Sequence, residues 1–254
     1  MARLALLPPA LAVLVAGCTS AGGGDDYPVG GGGAGGGTSG PRTDGGTDAG
    51  GTGDGGQPMI RGRVCLVSDL RRLIDAAPGD CATTGAGGLN VSLGGPATAL
   101  TAADGSFSIP AQDGFNLTWR VTGMNLVTSI VPVSASTLLP AIRDAVYGDL
   151  KNASGVLVAP GEGSIVARLV RGGAPVTGAT AQIIGGESAQ TLYDGASATV
   201  WSTISTGTFG VAWLPDNVAG SRTMRIVYGA SQTAFSVPVP IFDQAITFVT
   251  IALP

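Results

Sequence analysis

The chain has 254 residues, of which 44% are hydrophobic and only 12% charged, with a net charge of −4 and 43 glycines. The apolar share is ample for a core, while the charged share is about half the usual quarter, and no basic surplus marks a nucleic-acid partner. Histidine is absent, which excludes Ser-His-Asp and Cys-His nucleophile activation as well as His-based zinc sites.

Other chemistry is thinly supplied. Lys151 is the sole lysine, and Glu162 and Glu187 are the sole glutamates. Paired aspartates leave an Asp-dependent hydrolase as a remote alternative. The leading expectation is a protein that is not an enzyme and holds no cofactor or metal. The acidic surplus lies early: Cys18 to Met59 carries one arginine against five aspartates, whereas residues 60–159 balance seven cations against seven acids.

The N-terminus places one cation, Arg3, before an apolar run from Leu4 to Val15, the order of an export signal. A transmembrane span needs about 20 apolar residues, and Pro8-Pro9 interrupts this shorter run. Val15-Ala16-Gly17-Cys18 resembles the bacterial lipobox, in which an aliphatic and two small residues precede a cysteine. The resemblance implies cleavage after Gly17 and lipidation of Cys18. Acyl chains contribute about 0.8 kcal/mol per buried methylene, so two or three would anchor the protein firmly to a membrane. Thr19 stands where an aspartate would signal inner-membrane retention, which points to the outer membrane.

From Ala21 to Gln57, 18 of 37 residues are glycine, with Asp, Thr and Ser filling most of the rest. Such a stretch buries too little apolar surface to offset ordering entropy, so it reads as a disordered tether. Its "TDGGTDAGGTGDGG" run lacks the fixed ligand spacing and closing carboxylate of a calcium loop.

After Pro58 the texture becomes short β-rich runs between turn residues. "IRGRVCLV" reads as a strand, and "SDLRRLIDAAPGDC" as an excursion with a helical turn or two. "GLNVSL", "TALTA", "SFSIP", "NLTWRVT" and "LVTSIVPVS" follow as strands, with Asp104-Gly105 as a hairpin turn. Their spacing of 8–12 residues favours an antiparallel sandwich over βαβ units. In "STLLPAIRDAVYGDL", Ser136 to Leu150, apolar residues recur at helical spacing, which predicts a helix weakened near its start by Pro140.

A second β series runs "GSIVARLV", "APVTGATAQIIG", "ATVWSTI", "GTFGVAWL", "RTMRIVYG", "QTAFSVPVP" and "AITFVTIAL". Each series has an opening strand, a small-residue approach and a Gly-x-Phe strand, a rough internal repeat that predicts two homologous modules.

Gly62-x-Val64, Gly88-Leu89-x-Val91 and "TAADGSFSI" (Thr101 to Ile109) resemble the carboxypeptidase regulatory-like domain. "GAPVTGATAQI" (Gly173 to Ile183) is similar to the second strand of the same family. The resemblance implies a transthyretin-like, Ig-like β-sandwich with no protease site of its own, and fold analogy supplies no activity. The expected architecture is mainly β: two antiparallel Ig-like/transthyretin-like sandwiches joined by a short helix, behind a disordered Gly-rich linker. Its segments are a signal peptide (1–17), the lipidated cysteine and tether (18–58), a carboxypeptidase regulatory-like sandwich (59–135), a connecting helix and strand (136–159) and a second Ig-like sandwich (160–254).

With Cys18 assigned to lipid, Cys65 and Cys81 remain as a pair, and an exported compartment permits a disulfide between them. Free thiols are the alternative. Closing a loop of this size contributes about 3 kcal/mol in the chain-entropy model. Three sequons, at Asn90, Asn116 and Asn152, read as chance matches in a chain with a bacterial lipobox. Trp119, Trp201 and Trp213, with Tyr193 and Tyr228, read first as core and second as a sugar-stacking platform. Tyr193 to Gly195 and Leu214 to Gly220 read as turn-bearing loops. The expected function is a non-enzymatic cell-envelope lipoprotein. It displays its sandwiches toward a polysaccharide or an envelope protein, or serves as an accessory subunit without a ligand of its own.

Overall fold

The computed structural model describes residues 58–71, 82–112, 114, 117–133, 137–185, 190–195 and 201–254. The signal peptide, Cys18, the tether, most of the excursion after Ser68, Cys81 and Asn116 lie outside these residues. All described residues belong to one unit, Gly53–Pro254.

The chain before the helix forms seven strands: β1 (Met59–Leu66), β2 (Asn90–Leu93), β3 (Thr98–Leu100), β4 (Ser106–Pro110), β5 (Thr118–Thr122), β6 (Leu126–Pro132) and β7 (Leu138–Arg143). β1 runs antiparallel to β4 and parallel to β7, while β3, β2, β5 and β6 form an antiparallel series. Side chains alternate across a strand, so Val91, Phe107, Ile109, Trp119, Val121 and Leu139 meet between the two layers. The Phe107 ring lies 5.5 Å from Trp119, edge to face. Gly62, opposite Phe107 in the register, has no Cβ where that ring rests.

Beyond α1 (Asp144–Ser154) come β8 (Glu162–Arg171), β9 (Ala174–Pro175), β10 (Thr180–Ile184), β11 (Leu192–Asp194), β12 (Trp201–Ser202), β13 (Val211–Val218), β14 (Gly220–Tyr228), β15 (Thr233–Ile241) and β16 (Ala245–Ala252). β10-β14-β15 form a three-stranded antiparallel sheet. It packs on β13, β8 and β16 through Ile165, Leu169, Ile183, Leu214, Met224, Ile226, Val239 and Ile251.

The strand pairings before and after the helix are alike. β8 is antiparallel to β13 and parallel to β16, as β1 is to β4 and β7. β10-β14-β15 likewise reproduces the antiparallel series β2-β5-β6. The two sandwiches nevertheless share a sheet, because β16 pairs in parallel with both β8 and β6. A continuous path therefore runs β12-β11-β13-β8-β16-β6-β5-β2-β3. Both neighbours of β16 are parallel, and its first four residues, Ala245–Phe248, are buried on both faces, in keeping with the apolar-rich text of "AITFVTIAL".

The expected helix over Ser136 to Leu150 is corrected. Leu138–Arg143 is a strand, paired with β1 and β6, and the helix starts at Asp144. Pro140 disfavours a helix interior, and strand pairing buries Leu139 and Ala141 in the first core. The helix ends at Gly155, left-handed at φ 66 with its N–H on the Lys151 and Asn152 end of the helix. Its apolar side lies against a neighbouring sheet: Tyr147 and half-buried Val146 and Leu150 pack with Val166, Trp213, Ile246 and Phe248 on the outer face of β13-β8-β16.

Three other readings change. The Asp104-Gly105 turn forms, but β3 pairs with β2 and β4 with β1, so the turn crosses between layers. Tyr193 lies in strand β11 rather than a loop, and Leu214 to Val218 continues β13 through a bulge between Leu214 and Asn217. Of the strand expected around "ATVWSTI", Trp201–Ser202 is a strand, and residues 198–200 lie outside the described residues.

Candidate functional site

Several polar side chains that the sequence made available for chemistry are used to hold loops. Asp194, 1% exposed at the end of β11, accepts backbone N–H groups of Gly207, Phe209 and Val211 at 3.0, 2.5 and 2.7 Å. These bonds compensate a buried carboxylate and fix the 207–211 segment against the sheet. Asp104 accepts the hydroxyl and N–H of Ser106, which hold its carboxyl below the ordinary range, and faces Arg63 at 3.3 Å. Asp69 pairs with Arg71 at 2.8 Å, and Asp243 accepts the N–H of Gly161.

Under α1, the Tyr147 hydroxyl lies 2.5 Å from Ser164 Oγ, which donates to the Pro215 carbonyl. Burial pushes the Tyr147 phenol up to about 12, with the Ser164 hydrogen bond opposing the shift. A cavity of about 330 Å³ opens beside it, floored by Leu126, Tyr147 and Val158 and rimmed by Asp144, Lys151 and Gln244. The Lys151 ammonium sits 5.1 Å from the Tyr147 ring centre.

The five aromatic residues do not form a common platform. Trp119 is buried in the first core, Trp213 in the layer under α1, and Tyr193 and Tyr228 in the second core. Trp201, half-buried, stacks on Trp213 at 5.2 Å and is covered by Arg71. Cys65 is fully buried in β1; Cys18 and Cys81 lie outside the described residues.

Several sheet edges are closed. The Tyr193 hydroxyl reaches across from β11, accepting the N–H of Ala181 at 3.0 Å and donating to its carbonyl at 3.1 Å. On β4, Ser106 is engaged through both backbone groups, and the Pro110 carbonyl takes the Gln112 amide. Pro238 and Pro240 remove donors from β15, and the Pro240 carbonyl accepts the Thr247 hydroxyl at 2.8 Å.

Two sheet faces point outward. The outer face of β3-β2-β5-β6 carries Thr98, Leu100, Asn90, Ser92, Thr118, Arg120 and Thr122. The outer face of β10-β14-β15 carries Thr180, Gln182, Ile184, Thr223, Arg225, Val227 and Ser236. Leu100 is 71% and Ile184 50% exposed. Among the described residues each face holds one arginine and no carboxylate.

No family model matches the chain, and no curated protein matches it. Among solved structures, chains in two type II Cohesin-X-Dockerin complexes from Acetivibrio cellulolyticus are similar to part of it. One complex is an N-terminal interface mutant, at 20% identity over 32% of this chain and 51% of that one, with a TM-score of 0.23. The other is a C-terminal interface mutant, at 19% identity over 34% and 53%, with a TM-score of 0.22. The chain thus matches about half the length of each, and at these scores the fold description rests on the molecule's own sheets.

Sequence reasoning missed Asp194 as an anchor, because its three donors lie 13 to 17 residues downstream. It also missed the arginine-centred faces. A signal for those was present in the strands "TWRV" (Thr118 to Val121) and "TMRI" (Thr223 to Ile226), where an exposed arginine stands between two buried residues in each.

Proposed function

We propose that the protein is a lipid-anchored envelope protein whose β-sandwich body binds another envelope protein, without catalysis of its own. Asp69, Asp104, Asp194 and Asp243 are engaged in turns and loops, and the described outward sheet faces are poor in charge. Those faces carry the reading: apolar side chains, an arginine and small hydroxyls, without opposing acids among the described residues, make a contact face. An envelope protein is a better partner than a polysaccharide, because Trp119 and Trp213 are buried and Trp201 lies under Arg71, so no open ring platform stands on the faces.

The anchor is Cys18, cleaved after Gly17 and lipidated, with residues 18–58 as tether; the lipobox resemblance supports it and the outer membrane is its place. The pairing of Cys65 with Cys81 belongs to the same reading. The Leu66 N–H donates to the Ala82 carbonyl at 2.8 Å, setting the residues that follow the two cysteines side by side, and this supports the pairing. The bond would hold Val67 and Leu70, both buried, in the layer under α1.

Crosslinking in intact cells followed by co-purification tests the binding role: one recurrent protein partner is expected, and a glycan adduct without protein would reverse the choice. The intact mass of the mature chain tests the anchor. A diacyl or triacyl addition on a chain beginning at Cys18 is expected, and an unmodified cysteine would remove the lipoprotein reading.

A further inference from the structure

β6 changes partner along its length. Leu126 and Val127 pair with β7, whereas Thr128 to Ile130 pair with β16. β7 precedes the helix and β16 ends the chain, so the change falls where the two halves of the molecule join. The cavity of about 330 Å³ lies beside it, lined by Val127, Thr128 and Ala245 together with α1. Such junctions are usual places for ligand pockets, and this volume is at the low end of their range.

α1 turns one stripe of side chains to the cavity. Asp144, Tyr147 and Lys151 stand at i, i+3 and i+7, positions that one helix face aligns, and all three line it. Asp144 and Lys151 are its charged lining residues, and neither belongs to a described salt bridge; those pair Arg63 with Asp104 and Arg71 with Asp69. The Lys151 ammonium lies 5.1 Å from the Tyr147 ring centre, so the side chain leans back one turn toward the helix start. Buried Leu126 and half-buried Val158 extend the apolar wall. The Gln244 amide N–H donates to the Ala159 carbonyl at 2.7 Å, which leaves its side-chain oxygen as an acceptor.

A carboxylate and an ammonium without described ion-pair partners, set along one apolar wall, suit a ligand that carries both charges. Seven residues of helix rise about 10 Å, and the backward lean of Lys151 shortens that span. An extended peptide covers about 3.3–3.6 Å per residue, so two or three residues bridge the two groups. We infer that the cavity binds a short peptide with both ends free, its amino group on Asp144 and its carboxylate on Lys151. The full charge of Asp144 outweighs the roughly half-charge of the helix end beside it. The peptide's apolar part rests on Tyr147 and Leu126, and Thr128 and Gln244 offer polar groups to its backbone. This site lies apart from the outward sheet faces and does not depend on the binding role proposed for them.

The test titrates the full chain with trialanine while following backbone amide resonances. Shifts are expected at Thr128, Tyr147, Lys151 and Gln244. Acetylating the peptide's amino end, or amidating its carboxyl end, should each weaken binding about fivefold. Lys151→Gln should then bind trialanine and its amide alike, and Asp144→Asn should bind trialanine and its acetylated form alike. Asp144 is exposed and Lys151 half-buried, and the spectrum itself reports whether each variant is folded. Absence of shifts at the cavity, or equal binding of free and blocked peptides by the unchanged chain, would overturn the proposal. So would discrimination against the blocked ends that survives both substitutions.

Discussion

Single residues show how scarce polar groups are used. Asp194 is buried and accepts three backbone donors. Asp194→Ala leaves those donors unsatisfied at about 1–3 kcal/mol each, so urea denaturation should report a loss of at least about 3 kcal/mol. Asp194→Asn, which keeps one acceptor oxygen, should lose less. Tyr147 gives a pH signature. Its phenol is raised from 10.0 to about 12 in the folded chain. Below pH 10 both states keep the proton and stability is full; above it the unfolded chain loses its proton first. Stability should therefore fall as pH rises from 10 to 12, by up to about 3 kcal/mol. Tyr147→Phe should flatten that alkaline limb, and an unchanged limb would show that other groups cause it. The burial of Trp119 and Trp213 was legible, since large rings in sandwich strands belong to cores. The role of Asp194 was not, because its partners are set by how a distant segment folds back.

At the scale of elements, the strands were readable where alternation or a continuous apolar run was strong, as in "SFSIP" and "AITFVTIAL". The helix boundary was not. Leu138–Arg143 has helical spacing on paper, yet β1 and β6 capture it as a strand through long-range pairing that outweighs local periodicity. The two glycines of α1 give a paired prediction. Gly155 is left-handed at φ 66, whereas Gly148 lies inside the helix with open space where a Cβ would go. Gly155→Ala should destabilise by about 1 kcal/mol, and Gly148→Ala should stabilise by up to about 1 kcal/mol. Thermal melts of the two variants should shift in opposite directions, and shifts of the same sign would contradict the assigned helix end.

For the whole molecule, the repeat was legible but the join was not. β6 and β16 are separated by more than a hundred residues, and no local pattern says that one completes the sheet of the other. The join couples the halves. Tryptophan fluorescence and far-UV circular dichroism should therefore follow one coincident denaturation transition, and two separated transitions would show that the shared sheet does not couple them. The same arrangement leaves sheet faces with Arg120 and Arg225 outward, and the function proposed here depends on such faces meeting a protein. Site-specific photocrosslinkers at Thr122 and Thr223, with Ser108 on the outer face of β4 as control, test this most directly in intact cells. The account predicts adducts with the same protein from Thr122 and Thr223 and none from Ser108. Equal adducts from all three positions, or none from Thr122 and Thr223, would contradict it.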